Sequence, residues 1–151
     1  MIVVDTSVFI DAIFEYREER TAIARKLFRT LQDTKTQVLE PDIFKIELIG
    51  QLVRRMKVQK AMNLYELMME RIETVDTAKL KEVAFEIALK TGCRAIDSFY
   101  ISVAHSRNAI LVSNDKFQVE SALKYGIKAF YLLEEWQELN KLLKNQVGEF
   151  R

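Results

Sequence analysis

The chain opens on Met1-Ile2-Val3-Val4-Asp5-Thr6-Ser7-Val8-Phe9-Ile10, and no other stretch constrains the fold as much. Its short continuous apolar run, rich in β-branched residues, suits a strand buried on both faces. The run stops at Asp5, a carboxylate that a buried strand would not carry in its middle. Thr6 or Ser7 then reads as the cap of a helix that begins with Val8, Phe9 and Ile10. The unit is strand, acid, helix. In a parallel sheet it sets Asp5 at the carboxyl end of a strand, the edge where open α/β sheets build their sites.

The remaining pattern repeats that alternation. Apolar residues at helical spacing mark a helix from Thr21 to about Gln32. Gln37 to Glu40 reads as a strand closed by Pro41, and Pro41-Asp42 as the opening of a helix that carries Glu47 and runs to about Met56. A helix from Gln59 to Arg71 follows, then a short strand over Glu73 to Val75. Asp76 or Thr77 caps a helix that ends near Gly92. Ala95 to Arg107 forms another, with Asp97 in its first turn. Ile110 to Val112, Phe117 to Tyr125, Lys128 to Leu132 and Glu134 to about Lys144 read as strand, helix, strand and helix. Residues 145–151 are expected to fray. The prediction is α/β: one domain over 1–151, a three-layer α/β/α with a central parallel sheet of four or five strands.

Composition narrows the function classes. At 151 residues, 49% hydrophobic and 30% charged, the chain suits one globular domain and not a disordered one. The single cysteine, Cys93, cannot form an internal disulfide, and with His105 as the only histidine a zinc cluster is excluded. Cys93, His105 and Trp136 read as packing or surface residues. No apolar run approaches the ~20 residues of a membrane-spanning helix, and no signal sequence is visible, so a cytoplasmic protein without a membrane partner is expected. A net charge of +1 leaves nucleic acid open, because the placement of charges matters more than their sum.

Four acids are placed where they could meet. Asp5 and Asp115 each follow an apolar strand, and if those strands are neighbours both carboxylates reach one edge. Asp97 starts the helix that feeds the strand before Asp115. Glu47 interrupts a helix face otherwise held by Ile43, Ile46 and Ile49. Taken singly, each has an ordinary use: Asp after a strand caps a helix or turns the chain, and acid in a first helical turn complements the dipole. Gathered together they would repel one another unless a cation lay between them. An all-oxygen set suits Mg²⁺ or Mn²⁺.

Val3-Val4-Asp5-Thr6-Ser7, Ile46-Glu47-Leu48, Ala95-Ile96-Asp97-Ser98-Phe99-Tyr100 and Leu111-Val112-Ser113-Asn114-Asp115 together resemble the PIN domains, and among them the VapC-type toxin ribonucleases. The motifs occur in the family's order, and the resemblance covers nearly the whole chain. It implies a Rossmann-like parallel sheet and an endoribonuclease that depends on Mg²⁺ or Mn²⁺. The family's acids fall on Asp5, Glu47, Asp97 and Asp115. Asp5 and Asp115 are expected as direct metal ligands, with Asp97 and Glu47 binding directly or through water. Its supporting hydroxyl or amide residues fall on Thr6 or Ser7 beside the first acid and on Ser113 or Asn114 beside the last. The partners it implies are an RNA substrate, a second copy of the chain, and the small antitoxin of a VapBC-type toxin–antitoxin pair.

Other readings share parts of this pattern. A PIN nuclease of RNA processing would carry the same acids. A phosphatase of the haloacid dehalogenase type also ends its first strand in Asp, but its second Asp two residues on is Ser7 here. A non-catalytic scaffold would not need the intact acidic set. Arg54, Arg55, Lys57 and Lys60 read either as a solvated helix end or as a rim that guides phosphates. The helix from Gln59 to Arg71, with Met62, Met68 and Met69, has more apolar surface than one packing face requires, which points to a dimer interface.

Overall fold

A computed structural model describes residues 1–148. Five parallel strands, β1 (Ile2–Val4), β2 (Val38–Pro41), β3 (Ile72–Val75), β4 (Ile110–Ser113) and β5 (Ala129–Tyr131), form one sheet in the order β3-β2-β1-β4-β5. The central strand β1 is fully buried, as its unbroken apolar run requires, and pairs with β2 and β4. The strand order reverses on the two sides of β1, which opens a crevice above the carboxyl ends of β1 and β4.

Helices flank this sheet, in the three-layer α/β/α arrangement expected from the alternation. The helix α6 (Ala95–Arg107) packs across β1, β2 and β4, with α5 (Thr77–Thr91) against it. Gly92 ends α5 in the left-handed conformation (φ 68°), where any side chain would be strained. A second group joins α1 (Thr6–Ile13), α2 (Glu18–Asp33) and α8 (Leu132–Gly148), while α3 (Phe44–Val53) leads into α4 (Val58–Met69). Phe9 ties α1 to α2 and α3, its ring lying 4.7 Å from Phe28 and 5.1 Å from Phe44. The remaining helix, α7 (Lys116–Lys124), connects β4 to β5.

Several boundaries differ from the sequence reading, each for a local reason. Helix α1 starts at Thr6 because Asp5 is its own cap, accepting from the Ser7 N–H at 3.1 Å. Pro41 ends β2 opposite Val75 and does not open a helix; the chain turns after it, with the Asp42 N–H donating to the Val75 carbonyl at 2.8 Å. Helix α3 buries Phe44, Leu48 and Leu52, so Ile46 is 73% exposed and is not part of a packed face. Leu132 belongs to α8 and not to β5. Helix α8 passes a non-helical Glu135, whose carboxylate accepts from the Tyr131 N–H at 2.9 Å. It continues to Gly148, beyond where fraying was expected; residues 149–151 lie outside the described residues. On α4, Ala61 is buried and Leu64, Tyr65, Met68 and Met69 pack on the core, but Val58, Met62 and Leu67 face solvent.

Candidate active site

Register brings the two strand-end acids together. Val4 pairs with Val112, and the Asp5 N–H continues that ladder by donating to the Val112 carbonyl at 2.9 Å. Asp115 lies two residues past the end of β4, where its side chain caps α7 by accepting from the Phe117 N–H at 3.0 Å. Asp97, buried in the first turn of α6, reaches the same edge. Glu47 arrives from α3. All four acids line one cleft of about 570 Å³, together with Asp11 and Arg94.

Two donors hold the three aspartates in place. The Arg94 guanidinium bridges Asp97, at 3.0 Å from Nε, and Asp115. The Gln118 amide nitrogen donates to Asp5 at 3.2 Å and to Asp97 at 3.3 Å. Burial pushes the Asp97 carboxyl above the usual carboxylate range; Arg94 pulls it back, and the charges of Asp5 and Asp115 add to the rise. Glu47 is oriented from α6, its carboxylate accepting from the Tyr100 hydroxyl at 3.0 Å. That hydroxyl also pairs with Thr6 Oγ1 at 2.6 Å. Burial foremost, and then the charges of Glu40, Glu47 and Asp5, drive the Tyr100 phenol far up, so it stays protonated and able to donate.

The predicted supporting residues brace the backbone of this edge. Ser113 Oγ accepts from the Asp115 N–H at 3.0 Å, and Ser7 Oγ from the Asn114 N–H at 3.4 Å. The Asn114 amide donates to Asp11 at 2.6 Å, and Arg20 lies 3.6 Å from the same carboxylate. Of the predicted basic cluster, Arg55 lines the cleft; Arg54, Lys57 and Lys60 are exposed but do not line it. Cys93 is buried, His105 is exposed with its ring 5.3 Å from Tyr125, and Trp136 packs half-buried on the core.

The donor set fits a hard divalent cation. It is made of carboxylate oxygens with no competing thiolate or imidazole in the cleft. Among the described residues no three His, Cys, Asp or Glu converge into a closed ligand cage. The Arg94 guanidinium stands between Asp97 and Asp115 as a cation of single charge, and Gln118 stands between Asp5 and Asp97. A divalent ion held by these carboxylates would compete with those two side chains for their oxygens.

Four residues of the site were not singled out from the sequence. Arg94, Gln118 and Asp11 are polar residues on or beside helices, and no spacing rule distinguishes them from solvated ones. The fourth, Glu40, is a fully buried acid on β2. The β1–β2 ladder ends at the Val3–Leu39 pair, and the Val4 N–H donates instead to Glu40 Oε1 at 2.9 Å. Oε2 finds no hydrogen-bond partner among the described residues. Burial, reinforced by the charges of Asp5 and Glu47 and opposed by the Val4 hydrogen bond, pushes its carboxyl well above the usual range. A Glu directly before Pro41 at the end of an otherwise apolar strand was the one available signal.

The sequence signature of the PIN domain matches residues 2–124, and the chain belongs to that family. PIN domains are, as a family, nucleases. Solved structures share the fold at low identity. A chain of VapBC2 from Rickettsia felis, bound to a promoter DNA fragment, is 18% identical with a TM-score of 0.66, covering 86% of this chain and 98% of its own. One from FitAcB of Neisseria gonorrhoeae is 19% identical with a TM-score of 0.59, covering 86% and 96%. One from a toxin–antitoxin complex of Klebsiella pneumoniae is 14% identical with a TM-score of 0.59, covering 77% and 88%. No curated protein sequence matches the chain.

Proposed function

We propose that the protein is an endoribonuclease that depends on Mg²⁺ or Mn²⁺ and acts as the toxin of a VapBC-type pair. The observation that carries this reading is the convergence of Asp5, Glu47, Asp97 and Asp115 on one cleft at the carboxyl edge of a PIN-domain sheet. Asp5 and Asp115 are assigned as direct ligands, and Asp97 and Glu47 as ligands directly or through water. The bound ion supplies an activated water and relieves charge on the non-bridging oxygens of the phosphodiester.

The chain's own residues prepare that arrangement. Gln118 fixes the rotamers of Asp5 and Asp97, and Arg94 neutralises the Asp97–Asp115 pair while the ion is absent. Tyr100 holds Glu47 on its cleft-facing side. Because the phenol does not ionise in the working range, that hydrogen bond persists as pH rises.

Cleavage of a labelled single-stranded RNA tests the reading. Product is expected with Mg²⁺ or Mn²⁺ and none in excess EDTA. Undiminished cleavage in EDTA would refute the metal mechanism.

The partner reading rests on apolar surface. Val58 is 66% and Leu67 63% exposed on α4, beside an apolar cleft of about 320 Å³ lined by Phe9, Ile13, Phe28, Leu64, Met68 and Ile72. An antitoxin and a second copy of the chain are the proposed occupants of the surface around α4. Light scattering of the pure protein is expected to give the mass of a dimer. A monomer at high concentration would remove the second copy from this proposal.

A further inference from the structure

An aromatic shelf continues the acidic cleft beyond the metal-type ligands. Phe14, which follows α1, and Tyr16 stack with ring centroids 5.8 Å apart and planes within 13° of each other. Phe14 packs half-buried on the core, whereas Tyr16 is 69% exposed. The Arg55 guanidinium lies over both rings, 5.6 Å from Phe14 and 5.9 Å from Tyr16. Arg55 is itself held on α3 by the Gln51 carbonyl at 2.9 Å and the Gln51 side chain at 2.6 Å. Gln51 and Arg55 line the same cleft as Asp5, Asp97 and Asp115.

Arg55 thus joins shelf and cleft: it lies over the two rings and lines the cavity that holds the carboxylates. Packing alone does not account for it. An exposed Tyr loses apolar contact with water only if something covers it. Exposed aromatic rings and guanidinium planes are the surfaces on which unpaired bases stack, and a neighbouring cation can contact the adjoining phosphate. The basic side chains favour an anionic ligand over an apolar peptide, and the exposed flat ring favours a nucleobase over an acidic peptide. Arg20 and Arg55 line the cleft, and the exposed Arg54, Lys57 and Lys60 lie next to Arg55 in the chain.

We infer that Tyr16, backed by Phe14 and Arg55, is a base-stacking platform that seats one unpaired nucleobase of a single-stranded substrate beside the acidic cleft. The inference rests on the nuclease reading above and adds a substrate subsite to it. It makes the enzyme selective for unpaired RNA, because a base held in a duplex has no free face to offer the ring.

The test is fluorescence anisotropy of the full chain with a labelled single-stranded RNA, in Ca²⁺ to support binding without turnover. Tyr16→Ala is expected to weaken binding by about 5- to 150-fold, the range that corresponds to one base–aromatic stack. Tyr16→Trp is expected to restore it. A series of RNAs with a single abasic position should contain one whose affinity is already low and which Tyr16→Ala weakens no further. Equal binding by wild type and Tyr16→Ala, or an equal loss on every abasic RNA, overturns the platform. So does weakened dimerisation or partner binding in Tyr16→Ala with RNA affinity intact, which would make the shelf a protein contact. If those results accompany metal-dependent cleavage by the wild type, only the platform fails. A wild type that neither binds nor cleaves RNA overturns the nuclease reading along with it.

Discussion

Asp5→Asn is expected to lower metal-dependent RNA cleavage by well over 10²-fold while leaving the protein folded. Loss of a residue that merely orients a ligand typically costs about 10–100-fold in metal affinity or activity, and loss of a charged ligand should exceed that. The fold should survive because Asn caps a helix about as well as Asp, so the contact to the Ser7 N–H is kept. The Gln118 amide donates to the other Asp5 oxygen, which becomes an NH₂ in Asn, so that one contact is given up. Asp97→Asn is expected to follow the same pattern. It should leave the metal-free melting temperature unchanged or raised, since it removes a buried charge that Asp5 and Asp115 disfavour. Its Mn²⁺-induced shift should be smaller than that of the wild type. Cleavage, circular dichroism and melts with and without Mn²⁺ decide the matter. A folded Asp5→Asn protein of wild-type activity would falsify the ligand assignment.

Glu40→Gln is expected to change how stability depends on pH in the metal-free protein. The folded-state pKa of Glu40 is raised by burial, so above its ordinary value the native state keeps a proton that the unfolded chain releases. The unfolded state then binds fewer protons, and stability falls as pH rises, by up to about 1.4 kcal/mol per unit for one proton. This loss begins near the unfolded pKa, about 4.3, and stops once pH passes the folded one. Below both values the group contributes no slope. Gln cannot titrate and still offers an oxygen to the Val4 N–H. Its amide hydrogens lack an acceptor as the protonated acid's hydroxyl does, a shortfall that does not vary with pH. The variant should therefore show little difference at pH 4 and gain on the wild type as pH rises from 5 toward the raised folded-state value. Denaturant titrations in EDTA at those pH values measure it, and parallel profiles would show that Glu40 is not held neutral.

The two residues mark how far the sequence could be read. Asp5 was legible because a carboxylate cannot sit inside a buried apolar strand and so marks its end, and because Asp115 repeats the arrangement after β4. Asp97 and Glu47 were legible only as members of an ordered set, since each on its own is an ordinary helix residue. Arg94, Gln118 and Asp11 carry no local signature, and their roles come from side chains that meet across elements far apart in the chain. Glu40 interrupts an apolar strand just before a proline, a position read simply as the strand's end. The Phe14, Tyr16 and Arg55 stack joins the loop after α1 to the end of α3, and no spacing along the chain connects them.

What the sequence determined by itself is the alternation of strands and helices, the parallel sheet and the position of Asp5 and Asp115 at its carboxyl edge. These follow from local hydrophobic periodicity and from the incompatibility of a carboxylate with a buried strand interior, which operate within a few residues. Tertiary structure alone decided the strand order β3-β2-β1-β4-β5, which makes β1 and β4 neighbours and so brings the two aspartates to one cleft. It also decided which polar residues compensate those charges and which apolar residues of α3 and α4 remain in solvent. Those outcomes depend on contacts between distant segments, where the energy of burying or pairing a group is set by what arrives from elsewhere in the chain.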